Sequence, residues 1–369
     1  MKKKIIPPLF AAAILVLVLS ACQKQASLKT LIPKLPDVPY TYEGCNGGGF
    51  GGCNDNTPSD NPMTDNGATL GRLLFYDPRL SLNNTVSCAT CHRQETGFAQ
   101  SASKSEGYEG MMTGRNSPAI INAFAKSSFF WDGRATSLEE MGLMPGQNHL
   151  EMGMEKLDVM EKKLSAVSYY PALFKKAFGT EEITHQEISF ALAQFVRSIV
   201  SVRSKMDKSQ LDAQELAGNQ AFIKFNCGRC HAGNNFGGDP LFISYYGTSP
   251  VNNSANIGLD VEYADKGIAA LTGNPSSNGA FMIPSLRNLA FSAPYMHDGR
   301  YKTLAEVIEH YDSGIQPSPA LDHVLLDSVA QTPLKMHMTA DEKSALAAFL
   351  LTLSDESITT DVKFSNPFK

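Results

Sequence analysis

Apolar residues recur along this chain at three- and four-residue intervals, the pattern of helices with one buried face, while strand-like alternation is scarce. Three helices can be placed from their caps. Thr184 with Glu187 forms a capping pattern ahead of Ile188, Leu192, Phe195, Val196 and Ile199, which share a face. Thr303 with Glu306 opens a segment carrying Leu304, Val307, Ile308 and Tyr311. Thr339 with Glu342 opens a last helix carrying Leu346, Phe349, Leu350 and Leu353. Residues 23–62 are rich in Pro, Gly, Asn and Asp without helical period, and read as a flexible tether and surface loop. The expectation is a mostly α protein with irregular loops. The polar stretch Ser204–Gln214 divides it into an N-terminal domain, 63–205, and a C-terminal domain, 206–355, with a tail over 356–369.

The N-terminus bears on location. Met1-Lys2-Lys3-Lys4 precedes an apolar run from Leu9 to Leu19, which is short for a membrane span. Leu19-Ser20-Ala21-Cys22 ends it like a lipoprotein signal, so residues 1–22 read as a cleaved leader with Cys22 as the lipidated residue. Gln23 follows, as in lipoproteins sorted to the outer membrane. An exported, periplasmic protein is expected, touching a membrane only through its lipid. A net charge of −5 argues against nucleic acid as a partner and is compatible with docking a small basic or neutral redox protein.

Cysteine usage introduces the chemistry. Of seven cysteines, four lie in Cys88-Ala89-Thr90-Cys91-His92 and Cys227-Gly228-Arg229-Cys230-His231. Cys-x-x-Cys-His is the attachment pattern of c-type haem: the thiols add to the porphyrin vinyls and the His ligates iron. One copy leaves a redox dithiol or half a zinc site open; two copies in an exported chain point to two covalently bound haems. Cys45 and Cys53 flank a glycine-rich loop, and a disulfide between them is expected, with free or metal-binding thiols as the alternative.

The chain also repeats itself. Arg115-Asn116, Trp131-Asp132-Gly133-Arg134 and Ser137-Leu138-Glu139 find counterparts in Arg287-Asn288, His297-Asp298-Gly299-Arg300 and Thr303-Leu304-Ala305-Glu306. This predicts two tandem cytochrome c-like domains, one haem in each. Fourteen residues after His297 stands Tyr311; fourteen after Trp131 stands Pro145. Tyr can ligate iron and Pro cannot, so the second haem is expected six-coordinate and the first open to peroxide. Met296, His297 and His310 compete with Tyr311 as ligand. Helical phase turns Tyr311 inward and His310 about 100° away. Spacing alone leaves Tyr311 and Met296 level.

Several runs together resemble the bacterial dihaem cytochrome c peroxidase and MauG family. They are Leu70-Gly71-Arg72-Leu73-Leu74-Phe75-Tyr76-Asp77, Arg115-Asn116-Ser117-Pro118, Phe130-Trp131-Asp132-Gly133-Arg134 and Glu151-Met152-Gly153. Pro284-Ser285-Leu286-Arg287-Asn288, Pro294-Tyr295-Met296-His297-Asp298-Gly299 and the two haem motifs complete the set, in order over residues 64–355. The resemblance implies that the first haem meets hydrogen peroxide and the second takes in electrons. It implies that Glu151 is the distal acid–base residue and Trp131 a relay between haems. It also implies that Asn116, with backbone oxygens of Ser292 and Pro294, holds a calcium ion, for which oxygen donors are suited.

The chain departs from the family pattern at three places. Tyr311 stands where the peroxidases carry Met and MauG-type members carry Tyr, which favours Tyr311 over Met296. Tyr108 stands where many members carry a gating His, and no His lies between His92 and His149. The first haem is therefore expected to be open without reductive activation, with Tyr108 as a weak ligand the competing expectation. Met141 replaces a distal Gln, and His149 is a nearby substitute or a surface residue.

The resemblance implies a peroxidase fed by a small cytochrome c or cupredoxin. The alternatives are MauG-like oxidation of a partner protein's side chains, a non-enzymatic electron-transfer cytochrome, and a haem sensor, for which no signalling domain is visible.

Overall fold

The computed structural model describes residues 55–231, 233, 237 and 253–369; the leader, Cys22, Cys45 and Cys53 lie outside the described residues. Two helix crossings organise it. Asp65–Tyr76 packs across His185–Ser198, and Ala213–Lys224 packs across Ala340–Leu351. Each crossing turns on a glycine. A Cβ at Gly71 would collide with the Ala191 carbonyl and Phe195, and one at Gly218 with the Ala345 carbonyl and Phe349. Only a residue without a side chain lets the two backbones approach this closely. One turn on, Phe75 meets Phe195 at 5.1 Å between ring centroids, and Phe222 meets Phe349 at 5.6 Å. The duplication read in the sequence is thus repeated in the packing.

The caps explain where helices start. Thr303–Glu306 and Thr339–Glu342 form full capping boxes. Thr184 is the N-cap of His185–Ser198, but its hydroxyl donates to the Glu187 carboxylate and does not cap a backbone N–H. Asp212 and Glu215 form a further box and open a helix inside the stretch read as a boundary. That helix exposes Leu216 and Ile223 while burying Gly218, Ala221 and Phe222, so its apolar period is blurred.

The first core gathers Leu70, Leu73, Leu74, Phe75, Leu192 and Phe195; the second gathers Phe222, Leu346, Phe349 and Leu353. Residues 356–369, read as a tail, return to the first core. Ile358 and Phe364 are buried in it, Tyr76 donates to the Phe364 carbonyl at 2.6 Å, and Gln94 donates to the Asp361 carbonyl at 2.8 Å. The end of the tether is packed too: the Asn56 amide donates to the Ala123 and Lys126 carbonyls, and its oxygen accepts from Arg197. Ser254–Ala255 pairs antiparallel with Phe281–Met282. Across the halves, Arg115 bonds Asp265 at 2.7 Å, while within its own half it bonds Asp132 at 2.6 Å. No helix among the described residues is long and apolar enough to cross a membrane.

Candidate haem sites

Cys88, Cys91 and His92 stand on the wall of a cavity of about 520 Å³. Their thiols are unbridged, and burial raises the Cys88 thiol to about 12 and holds Cys91 high as well. His92 places Nδ1 3.2 Å from the Phe98 carbonyl. A carbonyl only accepts, so Nδ1 carries the proton and Nε2 keeps its lone pair for a metal. Burial lowers the pKa of this imidazole, which favours the neutral, ligating form.

The same cavity is also lined by Met141, Gly142, Pro145 and Glu151. Glu151 sits on a turn tied together by one residue. The Asn148 carbonyl accepts the backbone N–H groups of Glu151, Met152 and Gly153, and the Asn148 amide donates to Glu151 Oε1 at 2.8 Å. Burial pushes the Glu151 carboxyl above its usual range, against the pull of Arg134 and Asn148. Asn148 and Arg134 are functional candidates that sequence reading passed over. Arg134 lines the cavity, bonds Asp132 at 2.9 Å and lies 3.7 Å over the Phe130 ring.

Tyr108 does not line this cavity. Its N–H donates to the Glu151 carbonyl at 2.8 Å, and its ring lies against Gly153, where a Cβ would strike the ring and φ is +67°. His149 is exposed and lies outside the cavity lining.

The second cavity, about 280 Å³, is lined by Cys227, Cys230, His231, Leu304, Val307, Ile308 and Tyr311. Burial raises Cys227 to about 11 and Cys230 to about 12, and lifts the Tyr311 phenol further still. Leu304–Glu309 is followed by a π-turn over His310–Gly314, which carries Tyr311 to the cavity. His310 faces elsewhere. Its Nε2 is 2.9 Å from the Ile257 carbonyl and therefore carries the proton, and its Nδ1 is 3.3 Å from the Tyr301 hydroxyl. Both nitrogens are engaged within the protein. His297 lines the cavity, stacked on Phe281 at 3.7 Å, and Met296 lines it with a φ of +74°.

Trp131 lines both cavities, as does Asn116. The Trp131 indole N–H donates to the Asn116 carbonyl at 2.9 Å, and its carbonyl accepts from Met282 at 2.8 Å. Asn116 is buried, receives structure from the other half through its N–H to the His297 carbonyl at 2.7 Å, and donates its amide to Ala102. Asn116, Ser292 and Pro294, the residues expected to offer oxygen donors to calcium, all belong to the second cavity's lining.

One detail of the repeat needs correction. The counterpart of Asn288 is Asn122, not Asn116. Both are left-handed, at φ +62° and +51°, and each N–H bonds the end of its half's second helix, Asn288 to Leu353 and Asn122 to Ile199. The Arg-Asn dipeptides matched by letter only, since Arg115 bonds Asp132 and Asp265 while Arg287 bonds Asp207. The rest of the register stands: Trp131 opposite His297, Gly133 and Gly299 both left-handed, Pro145 opposite Tyr311.

Comparisons with known proteins agree with this architecture. The family model for di-haem cytochrome c peroxidase matches residues 65–215. The methylamine utilization protein MauG of Methylorubrum extorquens is 34% identical over 308 residues, 81% of each chain. The cytochrome c551 peroxidase of Nitrosomonas europaea is 32% identical over 299 residues, 78% of this chain and 80% of the relative. The crystal structure of a MauG-like protein associated with microbial copper homeostasis superposes with a TM-score of 0.77 at 33% identity, covering 85% of this chain and 97% of that one. Two cysteine–histidine cavities on a duplicated helical scaffold, with relatives of this extent, have one meaning: the chain is an oxidoreductase of the dihaem cytochrome c peroxidase and MauG family.

Proposed function

We propose that the protein reduces hydrogen peroxide at the cavity of the first domain, 63–205, with electrons delivered through the second, 206–355. The single observation that supports this most is the contrast between cavities: Pro145 and a half-buried Glu151 share the first cavity's lining with His92, whereas Tyr311 shares the second's with Cys227, Cys230 and His231. Haem supplies the iron that takes up peroxide and electrons. The chain supplies the rest. Glu151 takes a proton from one peroxide oxygen and returns it to the departing one, while Asn148 holds the carboxylate in place. With two electrons and two protons, peroxide becomes two waters. Trp131, clamped between Asn116 and Met282, bridges the cavities as a relay, and Tyr311 closes the second.

The electron source is a small cytochrome c or cupredoxin, or an oxidised partner protein in the MauG manner. Tyr311 favours the latter, because MauG-type members carry Tyr there. We place the enzyme in the periplasm, anchored to the outer membrane through Cys22, with one calcium held by Asn116, Ser292 and Pro294. Rapid mixing of the diferric protein with one equivalent of peroxide tests this reading. A fast absorbance change supports it. Reaction only after one-electron reduction places a gate such as Tyr108 on the first site. No reaction in either state leaves an electron-transfer cytochrome.

A further inference from the structure

Lys126 has no place in the mechanism above, yet its position is unusual. It follows Ala123–Ala125, between Asn122 and Trp131, and it lines both cavities. Of the described residues that line both, it alone is ionisable. Among the described residues no carboxylate or other acceptor meets its ammonium, although its carbonyl is held by Asn56. Burial depresses its pKa with nothing opposing it. Lys126 is half-buried in the cavity walls, and a cation withdrawn from water without a partner is costly, so a charge kept in such a place normally has one. The other cations lining the first cavity are already matched, Arg134 by Asp132 and Arg115 by Asp132 and Asp265.

The chemistry of the expected groups supplies the missing partner. A c-type haem is fixed by its vinyl edge, which leaves its carboxylate edge to be neutralised by the protein. We propose that the Lys126 ammonium is a shared counter-cation for the carboxylates of both haems, an electrostatic link between the two sites. A positive charge beside a haem favours the reduced iron, so the lysine raises both reduction potentials together. This inference rests on the two-haem reading.

The test uses the haem-loaded protein, with Lys126→Gln and Lys126→Arg beside the parent. Pyridine haemochrome counts haems in the parent; fewer than two per chain defeats the two-haem reading itself. With two present, spectroelectrochemical titration is expected to show both midpoint potentials shifted down in K126Q and near the parent values in K126R. A potential that stays put at either haem overturns the proposal. Should K126Q fail to load haem, K126R carries the test by resonance Raman. The propionate bending bands of both haems are expected to move, because the guanidinium bonds carboxylates differently. Unmoved bands at either haem overturn the proposal.

Discussion

The two halves of this protein share a scaffold and differ where it matters. Both cross helices over a glycine, both turn through a left-handed asparagine, and both present a Cys-x-x-Cys-His turn to a cavity. Elsewhere in the lining, however, Gly142 and Pro145 stand where the second half has Ile308 and Tyr311, and the first cavity is the larger, about 520 against 280 Å³. Small and non-ligating residues leave room on one side; bulky and ligating residues fill the other. Duplication supplied two equal holders for haem, and a few side chains divided the labour between them.

That comparison can be broken most severely at Glu151. Glu151→Gln is expected to slow the peroxide reaction by about 10²–10⁴-fold in stopped-flow while leaving haem content unchanged. Its raised pKa sets the sign with pH. The proton-accepting carboxylate is lost as pH falls through that pKa, so the rate is expected to decline towards acid with a midpoint above the ordinary carboxylate value. The decline is expected to vanish in E151Q. An acid limb that survives the substitution assigns the titration to another group.

Next comes Tyr311→Phe, which removes the phenol oxygen and is expected to convert the second haem from low to high spin in electron paramagnetic resonance. An unchanged spectrum would hand the ligand role to Met296. The converse change, Pro145→Tyr, is expected to close the first site and slow its reaction with peroxide roughly tenfold or more, equivalent to about 1.4 kcal/mol on the barrier. Full activity in that variant would mean that this position does not command the iron.

Scaffold and bridge variants have smaller expected effects. Gly71→Ala and Gly218→Ala are each expected to destabilise their own helix crossing by about 1–3 kcal/mol, read as a shift in thermal unfolding. Equal losses would sharpen the symmetry. Chelation of calcium is expected to reduce turnover and alter the spectrum of both haems, reversed by adding the ion back; indifference to chelator removes the calcium assignment.

Much of this was legible in sequence because it is written in local spacing. The haem motifs, the capping boxes at Thr303 and Thr339, and the Pro145–Tyr311 contrast each lie within a short window. What escaped depends on contacts between distant segments. Asn148 looks like any loop asparagine until its carbonyl is seen collecting three N–H groups under Glu151. Asn122 was passed over for Asn116 because matching letters carry no backbone angle. The helix opened by Asp212 was hidden by apolar residues on both of its faces.

The return of residues 356–369 to the first core has a consequence for how the molecule is made. Phe364 packs against Phe98 and Phe195, and Arg72 donates to Ser365. Synthesis delivers the chain from its N-terminus, so the half that emerges first cannot complete its interior until residues 356–369 arrive. The first haem motif is thus presented on an unfinished domain for as long as the second is still being delivered, an interval in which a haem-attaching enzyme has access to its thiols.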